Sequence, residues 1–555
     1  MSFLGKKWII QNQDEQLNLM EKLLANRQLT DQKAREIFFD DSISQLYDPL
    51  LMKGMSPAVE RVKKAIDEKE KIMIFGDYDV DGVSATAILV DFLRKVGADV
   101  NYTLPHRDKD GYGPKDYFMQ RFADQGVKLI ITVDCGTSSF NEIELANQLG
   151  MEVIVTDHHS LPEKLPDAVA LLNPHQPDCQ YPNEDLSGSA VAYKLVTALA
   201  PHYLKDQALN ELLYRHLGLA SLGLVADCMP LRGENRVMVK HGLNSLQHAN
   251  HPGLKALLNT GQQSQKPITS QTIGFTIGPR LNAAGRLDTP DHALQLLLGD
   301  VQKAEVLHRL NLKRRNRVAD YVVQAKAQVE QQGQIPHVIV LHQTHWPSGI
   351  LGLIASQIME TYGRPAIIMQ QRNQELVASC RSLNGFNITQ FLRDHANELF
   401  TSMGGHSEAG GFTLPMKNLS EFKKRVTEFA PQYIDLNEFK SSLTIESTIS
   451  PHQLTLMTKR QMDQLEPFGQ ANPEPILLLH DAKIVDSRWV GQKQNHLQLD
   501  LDAQGKTLKG IAFNFADHAP KIRSGKSYDV VFRLSVNEWR NKKTIQLMVM
   551  DMAEK

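Results

Sequence analysis

Cysteine is scarce in this 555-residue chain: the four residues Cys135, Cys179, Cys228 and Cys380 are far apart, and none forms a C-x-x-C pair. That excludes a disulfide framework and a structural zinc knuckle, and fits a reducing compartment. Net charge is nearly absent, with 61 Lys+Arg against 63 Asp+Glu giving −2, so total charge does not announce a polyanionic partner. Long hydrophobic runs are missing too. The longest strongly apolar stretch, Leu217–Ala226, is about half of what a membrane span needs. The opening residues MSFLGKKWIIQNQDEQ lack the apolar core of a signal peptide. A cytoplasmic protein without membrane contact is expected. Gly525-Lys526-Ser527 resembles the end of a nucleotide-phosphate loop, but Pro520 stands where the loop needs glycine, so no ATP is expected.

What is present is an ordinary globular composition, 42% hydrophobic and 22% charged. The length suggests three or four folding units at roughly 150 residues each. Residues 1–65 are polar and helix-prone and read as an N-terminal helical extension. From Lys71, β-branched runs (Ile72–Phe75, Val127–Val133, Met151–Thr156) alternate with amphipathic segments (Ser84–Lys95, Ser138–Leu149). This is the pattern of a parallel sheet covered on both faces, and it defines a first α/β domain over 66–290. Asp300–Gln332 holds no Gly or Pro, and Leu307, Leu310, Val318, Tyr321, Ala325 and Val329 recur at helical spacing. One long helix of about 45 Å is predicted within a connecting segment 291–333, with Lys313, Arg314, Arg315 and Arg317 on its polar side. A second α/β domain occupies 334–438, with strands at His337–Leu341 and Ala366–Met369, a helix at Ile350–Tyr362, and Gly-rich turns at Gly404-Gly405 and Gly410-Gly411. Over 439–555 alternation takes over (Leu497, Leu499, Leu501; Ile545, Leu547, Val549), which predicts a small β-barrel. Within 483–555 there are 13 Lys+Arg and 8 Asp+Glu, so +5 sits here and −7 elsewhere.

The strongest chemical signal is Gly76-Asp77-Tyr78-Asp79-Val80-Asp81-Gly82, directly after the run Ile72–Phe75. Three carboxylates at alternate positions share one side of an extended backbone, and such crowding calls for a cation. An EF-hand is excluded, because VSATAILV follows where its ligands would continue. Three further apolar stretches also end in Asp: Asp134 after Val127–Val133, Asp157-His158-His159 after Met151–Thr156, and Asp227 after Leu217–Ala226. In an open parallel sheet the C-terminal strand ends form the ligand crevice. Oxygen ligands with one or two imidazoles suit Mn²⁺ or Mg²⁺ better than zinc, and the carboxylates suffice for two ions sharing a bridge.

GDYDVDG, VDCGT, TDHH and VADCMPL, in this order, resemble the DHH phosphoesterase superfamily. With GPRLNAAGR (Gly278–Arg286) and SMGGHSEAGG (Ser402–Gly411) the chain is similar to the superfamily's single-strand-specific 5′→3′ DNA exonucleases over about residues 45–555. The resemblance implies a DHH domain, a DHHA1 domain and an OB-fold barrel, with two-metal hydrolysis of single-stranded DNA to 5′-mononucleotides. It implies Asp77, Asp79 and Asp134 on one metal, and Asp81, Asp134, His158 and Asp227 on the second. His159 is expected next to the scissile phosphate, and Asp157 as the carboxylate that orients the imidazoles.

Arg280 and Asn282, in a Gly-punctuated loop, and Arg107 are the expected phosphate contacts. Arg381 between Ser379 and Ser382 suits a terminal 5′-phosphate, because a guanidinium bonds two oxygens at once. Gly404 and Gly405 would allow close backbone approach, with His406 at the phosphate being cleaved. Expected single-strand contacts are Arg314 on the long helix and Arg488, Trp489, Lys493, Lys509, Phe513, Phe515, Arg533, Trp539 and Arg540 on the barrel. Single-stranded-DNA-binding protein and a RecQ-type helicase are the implied partners of a monomer. Two alternatives stay open at this point. One is a nanoRNase or phosphoadenosine phosphatase, whose relatives resemble only the two α/β units; the other is a metal-free DNA-binding scaffold.

Overall fold

The computed structural model describes residues 2–261, 266–383, 385–435, 442–515, 518, 522–540 and 542–555. The chain divides into two units, one Ser42–Ile434 and the other Met1–Asp41 with Asp435–Lys555.

Ser42–Ile434 contains two sheets. The first has five parallel strands in the order Val100–Thr103, Ile72–Phe75, Leu129–Val133, Glu152–Thr156, Ala170–Leu172. Ile72–Phe75, Leu129–Val133 and Ala170–Leu172 are buried throughout, as β-branched runs in a sheet covered on both faces must be. Strand order reverses around Ile72–Phe75, whose neighbours Val100–Thr103 and Leu129–Val133 lie on opposite sides. A crevice therefore opens outside the C-terminal ends of Ile72–Phe75 and Leu129–Val133.

The second sheet orders its strands Ser402–His406, Ala409–Pro415, Glu375–Arg381, Ala366–Arg372, Ile339–Gln343, parallel only between the last two. The Gly-rich turns expected at Gly404-Gly405 and Gly410-Gly411 are instead paired strand residues, Gly404 opposite Gly411 and Gly405 opposite Gly410. A Cβ on Gly405 (φ +131°) would lie 2.4 Å from the Gly410 Cα, so the glycines permit this close pairing. The long helix is Lys303–Gln331. Its buried positions Ala304, Leu307, Val318, Val322, Ala325 and Val329 form one stripe. It packs on the helices Gly278–Leu287 and Ser348–Tyr362 and so links the two α/β lobes.

The other unit is a closed five-stranded barrel, formed by Ile476–Val490, His496–Ala503, Lys506–Ala512, Lys542–Glu554 and Ser527–Trp539, with the last strand pairing back to the first. Along His496–Ala503 every second residue is buried, including Leu497, Leu499 and Leu501. The N-terminal helical extension expected over 1–65 is corrected here. Its first 41 residues belong to the barrel unit, and Lys7–Asn12 is a strand pairing in parallel with Ser442–Thr448. Phe3, Leu19, Leu23 and Leu24 are buried in the barrel's core. The segment is polar on average because only one side of it meets that core. Among the described residues no helix is long and apolar enough to cross a membrane.

One buried histidine makes stability pH-dependent. His251 is 5% exposed and caps the helix Pro252–Thr260. Burial, with the charges of Arg215, His216 and Lys255 adding to it, pulls its imidazole down to about 4. The unfolded chain takes up this proton near pH 6.5, and the folded one only near pH 4. Stability from His251 is therefore complete above pH 6.5 and falls as the pH drops toward 4, by about 3 kcal/mol in all. Denaturant titrations between pH 4.5 and 7 are expected to show a flatter profile for His251→Gln than for the wild type; parallel profiles would contradict this.

Candidate active site

Asp77 follows Ile72–Phe75, and Asp134 follows Leu129–Val133, so the two flank the crevice at the reversal point. The acidic run is not extended beyond Asp77. Asp79 N-caps the helix Val80–Lys95, its Oδ1 accepting from the backbone N–H groups of Asp81 (2.9 Å) and Gly82 (3.1 Å), and Asp81 lies in the first turn. A capping carboxylate at a helix N-terminus costs less than a free one, which is why the turn winds up here. Asp227 also differs from the sheet-edge expectation. Leu217–Ala226 is the end of the helix Asp206–Ala226, and Asp227 is its C-cap.

The side chains converge. Ligand atoms of Asp77, Asp79 and Asp134 lie within 4.8 Å of one another, as do those of Asp81, His158 and Asp227, and those of Asp134, His158 and His159. His158 Nε2 is 3.1 Å from Asp134 Oδ1, 3.6 Å from Asp227 Oδ2 and 3.8 Å from Asp81 Oδ2. Asp77 Oδ1 and Asp134 Oδ1 are buried with no hydrogen-bond partner. Burial, reinforced by the neighbouring carboxylates, raises Asp77 and Asp134 well above the usual carboxylate range and pushes Asp227 up to about 8. Burial lowers His158, which favours the neutral imidazole that a cation needs. Orphaned acidic oxygens beside a neutral imidazole fit divalent cations with oxygen-rich coordination.

Asp157 is engaged elsewhere. Its Oδ2 accepts from Thr137 N (3.0 Å), and its Oδ1 takes His158 N (2.8 Å) and His159 Nδ1 (2.7 Å). Burial opposes charge on His159, but the hydrogen bond and charge of Asp157 outweigh it and push the imidazole up to about 9. The Tyr112 hydroxyl lies 3.2 Å from His159 Nδ1 and donates to the Asp134 carbonyl.

Three glycines enclose these carboxylates: Gly82, which closes the acidic motif, and Gly188 and Gly223, which sequence reasoning missed. A Cβ on Gly82 would lie 2.7 Å from the Asp77 backbone, one on Gly188 2.6 Å from Asp134 Oδ1, and one on Gly223 1.8 Å from Asp81 Oδ1. Gly188 N and Ser189 N also donate to Asp81, at 2.6 and 3.0 Å. Their available signal was glycine inside helical stretches, where it is unfavourable without a packing reason. Gly223→Ala is expected to lower activity about 100-fold through displaced Asp81 and to raise the metal concentration needed for half-maximal rate. A metal titration of activity checks this, and a wild-type curve would contradict it.

The expected phosphate contacts separate into two groups. Arg107 places its guanidinium 4.0 Å from the Tyr78 ring centre, and its Nε is buried without a partner. Ser379 and Arg381 share one face of the strand Glu375–Arg381, one strand from the glycine hairpin, with Ala409 opposite Arg381. Arg381 Nη1 donates to the Cys380 carbonyl at 2.7 Å, and Gly352 leaves it room, since a Cβ there would lie 2.7 Å from Nη2. Arg286, the last residue of GPRLNAAGR, was not singled out from sequence. Its Nη1 donates to the Gly349 carbonyl at 2.8 Å, three residues before the Gly352 that makes room for Arg381, and burial together with the charges of Arg107, Arg314 and Arg381 pulls it down to about 9.

The other group is differently placed. Arg280 and Asn282 lie in the helix Gly278–Leu287, not in a loop, and its glycines allow close approach, since a Cβ on Gly285 would lie 2.7 Å from the Tyr78 carbonyl oxygen. Arg280 is buried and donates to the Leu257 carbonyl at 3.0 Å. The Ser382 hydroxyl closes a turn by donating to the Phe386 carbonyl at 2.6 Å. His406 is exposed at the end of Ser402–His406, opposite Ala409.

On the barrel, Trp489 (43%), Phe513 (52%) and Trp539 (70%) are exposed, and Arg540 lies 5.9 Å from the Trp539 ring centre. Phe515 is a core residue at 3% exposure, so no base stacks on it. Lys509 pairs with Asp500 (2.6 Å) and Arg533 with Glu474 (3.3 Å), which reduces their pull on a polyanion. Arg488 contacts Gln498, and both Arg488 and Lys493 are exposed.

A parallel sheet whose strand ends, with the helix ends at Asp79 and Asp227, bring these acids and imidazoles together defines a DHH-type phosphoesterase site. Residues 71–224 match the DHH family, N-terminal domain, 335–432 the DHHA1 domain, and 445–551 the RecJ OB domain. The chain belongs to the single-stranded-DNA-specific exonuclease RecJ family. It is 34% identical to the Bacillus subtilis RecJ over 99% of this chain and 71% of that one. It is 32% identical to the Dickeya dadantii protein over 96% and 95%. The crystal structure of Thermus thermophilus RecJ with Mn²⁺ superposes with a TM-score of 0.80 at 28% identity, covering 96% of this chain and 75% of that chain. The corresponding Mg²⁺ structure gives 0.73 at the same identity, covering 96% and 74%.

Proposed function

We propose that the protein is a divalent-metal-dependent exonuclease that degrades single-stranded DNA from its 5′ end to 5′-mononucleotides, in DNA recombination and repair. The observation that carries this reading is one crevice where orphaned carboxylates converge with His158, and where Arg107 lies on the ring of Tyr78, the residue between Asp77 and Asp79. Asp77, Asp79 and Asp134 would hold one cation, and Asp81, Asp134, His158 and Asp227 the other, with Asp134 shared. Bound there, Mn²⁺ or Mg²⁺ would supply a water of lowered pKa and offset charge on phosphoryl oxygens.

The chain's own residues do the rest. Asp157 holds His159 by its Nδ1, which leaves Nε2 for an oxygen of the scissile phosphate. Arg381, Ser379, Arg107 and Arg286 form an anion site suited to the terminal 5′-phosphate, which sets polarity. Gly404, Gly405 and His406 give the hairpin beside Arg381 its close-approach edge. The barrel's exposed Trp489, Phe513, Trp539, Arg488, Lys493 and Arg540 supply stacking and charge for the strand. Single-stranded-DNA-binding protein and a RecQ-type helicase are proposed partners, and a cytoplasmic monomer the working form.

The test is a single strand labelled at its 5′ or 3′ end and digested with each metal in turn. Release of labelled mononucleotide first from the 5′ end is expected; release from the 3′ end overturns the proposal. Rates that do not grow between two and about thirty nucleotides would favour a short-oligonucleotide phosphoesterase instead.

A further inference from the structure

Asp108 follows Arg107 in the segment between the strand Val100–Thr103 and the helix Asp116–Asp124. Its carboxylate accepts a hydrogen bond from Ser348 Oγ. Arg372 Nη2 donates to the same Ser348 Oγ at 2.8 Å and lies 3.4 Å from Asp108 Oδ1. Ser348 opens the helix Ser348–Tyr362, where a carboxylate is favoured by the helix dipole, and Arg372 ends the strand Ala366–Arg372. Gln370 Oε1 accepts from Arg372 Nε at 2.7 Å and fixes the guanidinium. Three side chains therefore tie the loop of the first α/β lobe to the second.

The tie matters because of what lies beside it. On the helix that Ser348 opens, the Gly349 carbonyl accepts from Arg286 Nη1 at 2.8 Å, and a Cβ on Gly352 would lie 2.7 Å from Arg381 Nη2, so two cations of like charge sit within one turn of the clasp. Arg107 itself rests on the Tyr78 ring, and its Nε has no hydrogen-bond partner. Like charges repel, so the most loosely held member of such a group is the one that needs an anchor. Arg107 is on a loop, whereas Arg286, Arg314 and Arg381 are on helices or a strand. The residue next to it is the one that is clasped.

We propose that Asp108, Ser348 and Arg372 form a positioning clasp that holds Arg107 opposite Arg381, so that the two lobes grip a 5′-terminal phosphate from both sides. This rests on the exonuclease reading above and deepens it: the clasp makes the enzyme discriminate 5′-phosphate from 5′-hydroxyl ends. Asp108, Ser348 and Arg372 do not touch the phosphate, and each acts through Arg107.

The experiment compares kcat and KM on matched single strands bearing either end, for wild type, Arg372→Ala, Asp108→Asn, Ser348→Ala and Arg372→Lys. For Arg372→Ala and Asp108→Asn, KM on the phosphorylated strand is expected to rise about 10-fold with kcat within about twofold, while KM on the hydroxyl strand stays unchanged. Ser348→Ala is expected to shift the same constant in the same direction. Arg372→Lys, which keeps a cation within reach of Asp108, is expected to retain most of the preference. Variants that keep the wild-type preference, or lose rate equally on both ends, overturn the clasp and leave the exonuclease reading intact. A wild type indifferent to the end group overturns the phosphate grip and the clasp with it.

Discussion

Asp134→Asn is expected to lower hydrolysis of single-stranded DNA by about 10⁴-fold, the scale of deleting one member of a catalytic set, while leaving the strand bound. Asn is the informative replacement because Asp134 has φ +60°, a conformation that Asn tolerates and Ala does not. Asp134 is within ligand distance of both Asp77 with Asp79 and of His158, so its loss removes charge from both halves of the site. A second outcome separates this from damage to the fold. Asp134 is buried among like charges that raise it well above its ordinary value, so without metal it costs the folded state free energy at neutral pH. In the presence of a chelator the Asn variant is therefore expected to melt at a higher temperature than the wild type. Single-turnover cleavage, fluorescence anisotropy with a labelled strand and a thermal melt in EDTA measure all three. Cleavage at the wild-type rate would end the assignment of Asp134.

The second large effect concerns the barrel unit. Arg27 and Glu446 form a bidentate pair, at 2.7 and 3.0 Å, with side chains 5% and 4% exposed. Arg27 also donates to the carbonyls of Leu23 and Pro473 and to Asn472 Oδ1. Arg27→Ala leaves Glu446 buried and unpaired and is expected to destabilise the unit by about 3–5 kcal/mol. Trp8, Trp489 and Trp539 lie in this unit and Trp346 in the other, so urea unfolding followed by tryptophan fluorescence reports mainly on the barrel. The double variant Arg27→Met/Glu446→Leu is expected to recover much of the loss, because removing both charges strands neither. A single variant with wild-type stability would contradict the account.

Arg27 also shows why part of this molecule was not legible from its sequence. Its partner is 419 residues away, and Lys7–Asn12 finds its pairing strand at Ser442–Thr448. No local periodicity marks such a pairing, and a polar segment with one buried side reads as an appendage. Asp227 was legible as a candidate and misplaced in its element, because a ten-residue apolar run reads alike in a buried strand and in a buried helix. Arg280 looked like a loop residue because glycines surround it, but those glycines serve close helix packing.

The sequence by itself determined the buried parallel strands, the long helix, the alternating barrel strands, and the acids and imidazoles that meet in the crevice. Each of these is written in neighbouring residues, through side-chain period, β-branching or charge crowding. The tertiary structure alone decided that a helix end delivers Asp227, that Gly82, Gly188 and Gly223 make room for the carboxylates, that Arg286 reaches the Gly349 carbonyl beside Ser348, and that the N-terminus completes the barrel unit. Those depend on which surfaces bury against each other across hundreds of residues, and packing of that kind leaves no periodic trace along the chain.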